Sequence, residues 1–293
     1  MPKRILVVVR GFGPVLAAAQ RAELCAGKNT KLVLLDIAHE PALDGYLGDT
    51  AIYEPLRARV VAECRERVEA LAKNLAARGL DVTAKAVWDH PLDEAVARHA
   101  REERADLVVI SPASPEHGLS HSEWRVVATC PAPVLVVRRP ANVKYTHVVA
   151  AVDPFHAHAK PADLDLAILA QARELATLNG ATLAAAHCFT PLELLGADPA
   201  NARPRDGGAD ARRAALEQLV EKAGLPRSAA RLEVGTPPDV ALQRLAENGQ
   251  ADLVVLGALA RGRLKDWLIG NTAERVLHRG GADVLAVKPP HAP

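Results

Sequence analysis

Short strand-like runs alternate along this chain with longer stretches whose apolar residues recur every three or four positions. The runs are Ile5–Val9, Leu32–Leu35, Val82–Val87, Leu107–Ile110 and Val134–Val137, then Val148–Val152, Leu183–Ala186, Arg231–Val234, Leu253–Leu256 and Val284–Val287. Most lack an alternating polar face, which is the mark of strands covered on both sides, as in a parallel sheet. The stretches between them predict helices over about Val15–Ala26, Ala51–Arg78, Pro91–Glu103, Trp124–Ala128, Asp163–Leu178, Ala209–Lys222 and from Pro238 to just before Gly249. A short amphipathic helix opens at Gly270-Asn271-Thr272 and carries Ala273, Val276 and Leu277 on one side. In the long second helix Val60, Cys64, Val68, Leu71 and Leu75 share a face. Glycines at 27, 79, 180, 224 and 249 stop helices, and Pro91 and Pro238 sit where a helix's first turn tolerates a missing N–H.

The order strand–helix runs through the chain twice. Ala105-Asp106-Leu107-Val108-Val109 returns as Ala251-Asp252-Leu253-Val254-Val255, and Val134–Val137 returns as Val284–Val287. A repeat this long is a duplicated domain, because solenoid repeats run at about 20–50 residues. Arg138–Tyr145 is a charged linker with Pro140. The expectation is two α/β domains, 1–139 and 146–290, each a five-stranded parallel sheet with helices on both faces. Ligands in such sheets bind at the carboxyl ends of strands where the strand order reverses. The residues just after the first and fourth strand of each half are therefore the ones to read.

Composition narrows the picture. Across 293 residues about half are apolar, and the net charge is +1. That balance gives no pull toward nucleic acid or an anionic membrane. The apolar run after Lys3-Arg4 ends at Arg10, too short for a signal-peptide core, and no run approaches the roughly 20 residues of a membrane span. Cys25, Cys64, Cys130 and Cys188 have no paired spacing and read as reduced, mostly buried thiols of a cytoplasmic protein.

The chemistry gathers in the second half. Asp153 follows the first strand there, and Gly257 ends the fourth. Behind Gly257 come Ala260, Arg261, Gly262, Arg263 and Lys265, then Gly270-Asn271-Thr272 at a helix start. Strand, glycine-and-arginine loop and helix N-terminus together can present backbone N–H groups and positive charge to a phosphate. Gly257 and Gly262 begin like a P-loop, but Arg263-Leu264 stands where Lys-Ser/Thr is required. The first half has Arg10-Gly11 after strand one, and Ser111-Pro112-Ala113-Ser114-Pro115-Glu116-His117 after strand four. Two prolines there remove donors and Glu116 repels phosphate, so the anion site is expected in the second half.

A better match than the P-loop is the universal stress protein family, whose nucleotide-binding forms carry Gly-x2-Gly-x9-Gly-Ser/Thr after the fourth strand. Here Gly257, Ala260 and Gly270 stand at the three glycine positions, with Asn271 at the hydroxyl position and Thr272 beside it. The run Gly270-Asn271-Thr272-Ala273-Glu274-Arg275-Val276-Leu277 resembles the family's helix start, and the chain is similar to the tandem, E-type members over nearly its whole length. That resemblance implies Rossmann-like domains of the adenine nucleotide alpha hydrolase kind, and a non-catalytic stress-response regulator. It implies ATP, with Mg²⁺, or a related phosphate ligand, with Asp153 near the adenosine. It also implies an intramolecular pseudo-dimer in which Val134–Val137 faces Val284–Val287; the linker of roughly eight residues can reach about 25 Å. Ala260 adds a Cβ where glycine allows close approach. Asn271 can donate to a phosphate oxygen but offers no hydroxyl, and Arg261 and Arg263 can compensate by charge.

Other readings stay open. The glycines can serve tight turns alone, leaving a scaffold or interaction protein, with a protein partner or a homodimer of tandem chains. A bulkier apolar or sugar-nucleotide ligand is a second alternative and a slow ATPase a third, although no general base is identifiable. Gly11-Phe12-Gly13 with Asp36 imitates a dinucleotide fingerprint but lacks its third glycine. His156 and His158 near Asp153 are ligand types for zinc, with His117, His121 and His187 as further candidates if the fold gathers them. Asp89-His90 could move a proton, but no nucleophile can be assigned to it. Trp124 and Trp267 read as packing, with Trp267 a possible pocket wall. Neither Gly-x-Ser-x-Gly nor His-Glu-x-x-His occurs.

Overall fold

A computed structural model describes residues 2–9, 15–46, 48–113, 118–139, 143–155, 161, 163–189, 208–234, 237–258, 271–279 and 281–289. The chain divides into two compact units, Met1–Asn142 and Val143–Pro293. The first contains β1 (Arg4–Val9), α1 (Val15–Leu24), β2 (Lys31–Ala38), α2 (Thr50–Ala77), β3 (Asp81–Trp88), α3 (Leu92–Glu102), β4 (Leu107–Ile110), α4 (His121–Thr129) and β5 (Val134–Val136). The second contains β6 (His147–Ala151), α5 (Leu164–Asn179), β7 (Thr182–Phe189), α6 (Gly208–Lys222), β8 (Ala230–Val234), α7 (Pro238–Glu247), β9 (Leu253–Gly257), α8 (Asn271–Arg279) and β10 (Asp283–Val287).

Within the first unit the strands lie in the order β3-β2-β1-β4-β5, and within the second β10-β9-β6-β7-β8. Every pairing inside each unit is parallel. The apolar central strands are shut off from water: Ile5, Leu6, Val7, Val108, Val109, Leu253 and Val255 are all 0% exposed. Helices meet them with one face. On α2, Cys64, Val68 and Leu75 are buried as the spacing requires, joined by Tyr53 two turns before the expected stripe. Gly180, at φ 68°, closes α5 in the left-handed conformation a Cβ resists.

Several element ends differ from expectation. Strand β2 runs on through Asp36, which is buried inside the sheet and not in a loop after it. Arg67 on α2 reaches over and donates to Asp36 Oδ2 from Nε at 3.1 Å and from Nη2 at 2.6 Å. The carboxylate of the imitation dinucleotide fingerprint is thus spent on an internal ion pair. Strand β7 also extends, to Phe189. Helix α4 starts at His121, three residues before the expected Trp124, because Ser120 and Glu123 form a capping box there.

The repeated Ala-Asp-Leu-Val-Val has a structural cause. Asp106 Oδ2 accepts the N–H groups of Lys3 at 2.8 Å and Arg4 at 3.0 Å. Asp252 Oδ2 accepts those of Thr146 at 2.7 Å and His147 at 2.9 Å, plus the Thr146 hydroxyl at 2.6 Å. Each aspartate precedes the fourth strand of its domain and clasps the chain entering the first, which lies beside it. Hydrogen bonds to a charged acceptor are worth about 1.5–3 kcal/mol. Asp252→Ala should therefore lower the stability of the second unit by about 2–3 kcal/mol, read as an earlier urea transition for that unit, with Asp252→Asn losing less.

Candidate functional site

In the second unit the strand order reverses between β6 and β9. Ala150 pairs with Val255, so the chain beyond β6 and the chain beyond β9 leave the sheet side by side. Asp153 and Gly257-Ala258 occupy those two exits. The crevice between such strands is where doubly wound sheets take ligands.

Asp153 is held in place from both sides. Its N–H donates to Oδ1 of the fully buried Asp165 at 3.2 Å, and its own Oδ1 accepts the N–H of Phe155 at 3.3 Å. The second contact is an aspartate turn that redirects the backbone just past the strand. The side chain remains 24% exposed.

Beside it stands a group that spacing alone does not reveal. His187 on β7 is buried, with Nδ1 donating to the Val152 carbonyl at 3.2 Å and lying 3.9 Å from Asp153 Oδ1. Its Nε2 lies 3.1 Å from Arg212 Nη1 on α6. A guanidinium only donates and a carbonyl only accepts, so this is a neutral ring protonated at Nδ1. The Arg212 guanidinium carbon lies 4.6 Å from the ring centres of both Phe155 and Phe189, a double cation–π contact. The whole sequence has three phenylalanines, and two of them meet here. That scarcity was the one available signal. His187 therefore serves Arg212 and the Val152 carbonyl. Among the described residues no cluster of three metal-ligating side chains occurs. His117, His156 and His158 lie outside the described residues.

Gly257 is the last residue of β9, not part of a turn. A Cβ on it would lie 2.7 Å from Leu164 Cδ2 and 3.3 Å from Ile168 Cδ1. The glycine lets α5 pack directly on the strand end. Ala260, Arg261, Gly262, Arg263, Trp267 and Gly270 lie outside the described residues, while Asn271 and Thr272 form the first turn of α8.

The first unit builds the equivalent place differently. Glu123 on α4 is buried, and its carboxylate accepts the Ala113 N–H at 2.8 Å and the Ser120 N–H at 2.7 Å. The two units otherwise share a device at this end. Arg125 on α4 donates to the buried Asp93 at 2.7 Å, and Arg275 on α8 lies 3.7 Å from the buried Asp239. Asp89 pairs with Arg98, and His90 stacks on His39 at 4.0 Å, so the Asp-His pair joins two separate contacts and not one relay. Residues 10–14, including the imitation fingerprint's glycines, lie outside the described residues.

Two outcomes follow from these contacts. Gly257→Ala should cost about 1–3 kcal/mol by overpacking against Leu164 and Ile168, seen as a lower unfolding midpoint of the second unit. Burial, reinforced by Glu233, pushes the Cys188 thiol up to about 12. Only the thiolate reacts, so Cys188 should resist iodoacetamide at pH 8 in the folded chain and label after denaturation, as peptide mapping would show.

Comparison with known proteins agrees with the duplicated fold. The model of the universal stress protein family matches twice, at residues 1–138 and 144–288. Universal stress protein E of Escherichia coli (strain K12) is 27% identical over 252 residues, covering 80% of this chain and 77% of that protein. A Haemophilus influenzae homologue of the same protein is 24% identical over 246 residues, covering 79% of this chain and 77% of its own. A functionally unknown protein from Pseudomonas aeruginosa PAO1 superposes with TM-score 0.70 at 26% identity, covering 98% of this chain and 93% of its own. A universal stress protein from Archaeoglobus fulgidus DSM 4304 has the same fold, with TM-score 0.66 at 15% identity, covering 97% of this chain and 98% of its own. No helix among the described residues is long and apolar enough to cross a membrane. The chain belongs to the universal stress protein family and carries the family's α/β domain twice in tandem.

Proposed function

We propose that this chain is a non-catalytic regulator of the stress response that holds an adenine nucleotide, or a related phosphate ligand, in its second domain. The observation that carries the reading is the placement of Asp153. Its partly exposed carboxylate stands at the exit of β6, beside the exit of β9 at Gly257-Ala258. A carboxylate there can accept ribose hydroxyls, as acidic residues do in dinucleotide folds. The chain from Gly257 through Ala260, Arg261 and Gly262 to Gly270, Asn271 and Thr272 then meets the phosphates, with the α8 N-terminus contributing its N–H groups. Mg²⁺ would enter on the ATP phosphates.

The non-catalytic part of the reading rests on His187. Both its ring nitrogens are engaged, by Val152 and Arg212, so the histidine nearest Asp153 among the described residues is not poised to take a proton. Binding would change the surface offered to a partner protein. The test is a calorimetric titration of nucleotide-stripped protein with ATP and Mg²⁺, with AMP as control. One saturable site per chain, weakened about tenfold or more by Asp153→Ala, is the expected result. No heat and no thermal stabilisation at millimolar ATP would overturn the reading.

A further inference from the structure

In the first domain a glutamate stands where the second domain has an alanine. The Glu123 carboxylate is 2% exposed and receives backbone N–H groups from two separate segments. Ser120 N–H, at 2.7 Å, belongs to the start of α4. Ala113 N–H, at 2.8 Å, belongs to the chain leaving β4. A capping box explains the first contact and the return bond from the Glu123 N–H to Ser120 Oγ at 3.4 Å. It does not explain the second, because the helix needs nothing from Ala113.

The carboxylate thus joins the exit of the fourth strand to the N-terminus of the following helix. In a doubly wound domain those two segments converge on a bound oxyanion. The matching ion pairs Asp93–Arg125 and Asp239–Arg275 align α4 with α8. On that alignment the second domain has Ala273 where the first has Glu123, and Gly270 where the first has Ser120. Ala273 is buried and carries no charge.

We infer that the first domain contains an oxyanion seat permanently filled by its own Glu123 carboxylate, which joins Ala113 to Ser120 without a ligand. The ligand class for an emptied seat is a small oxyanion, inorganic phosphate or a free carboxylate. Glu123 is a positioning residue, tying Ala113 to Ser120 across the gap. The inference about Glu123 stands on the first domain's own contacts. Its corollary, that an external phosphate enters only the Ala273 side, rests on the function proposed above.

Chemical rescue tests it. In Glu123→Ala, hydrogen exchange at the Ala113 and Ser120 amides should quicken about tenfold or more relative to wild type. Added phosphate or acetate should restore protection saturably, with chloride at matched ionic strength having no effect. Rescue by phosphate alone would mark a phosphate seat, and rescue by both a general oxyanion seat; either supports the inference. Glu123→Gln keeps the shape and one acceptor oxygen, so it should retain intermediate protection and show no rescue, which separates loss of the anion from loss of the fold. Unchanged exchange at Ala113 in both variants, or no rescue of Glu123→Ala by either anion, would overturn it. These readouts use no nucleotide, so they stand whether or not ATP binds the second domain.

Discussion

A carboxylate at the amino end of each sheet governs what can be built at the other end. Asp106 and Asp252 each stand before a fourth strand and grip the backbone entering the first. These two strands are neighbours, and the reversal of strand order lies between them. Fixing their stagger at the entrance fixes how their exits align several residues later, because a parallel pair cannot slip by one residue without turning its side chains over. Asp153 and Gly257, or their first-domain counterparts, inherit their spacing from that clasp.

The two domains share this scaffold and part company at the strand exits. In the second domain α5 crowds so close to Gly257 that no side chain fits, and an aspartate, a histidine, an arginine and two phenylalanines converge on the neighbouring strand ends. In the first, Asp36 is committed to Arg67 and Glu123 to the local backbone. Asp36, which looks available in the sequence, is there consumed by an internal partner. Removing either partner of such a buried pair would strand the other, so these contacts resist being traded for a ligand.

The sequence exposed the fold well and the site unevenly. The strands were legible because burial on both faces leaves unbroken apolar runs, and the duplication because Ala-Asp-Leu-Val-Val recurs around a hydrogen-bonding aspartate. Asp153 was legible as a position just after a strand and Gly257 as the end of one. The reason for Gly257 was not, since the side chains that exclude a Cβ, Leu164 and Ile168, come from a helix far away in the chain. Asp36 was misplaced beyond β2 because a carboxylate ordinarily marks a strand's end, and its ion partner Arg67 lies 31 residues on. The Arg212 stack was invisible for the same reason: Phe155, His187, Phe189 and Arg212 have no common spacing, and only the sheet brings them together.

The three tryptophans give the asymmetry an optical side. Trp124 follows Glu123 on α4, Trp88 ends β3 of the same domain edge-on to Tyr53, and Trp267 lies between Gly262 and Gly270 in the second. Each half thus has an intrinsic fluorophore in the chain between its fourth and fifth strands, and substituting one tryptophan at a time would let emission report the two halves separately, without any attached dye.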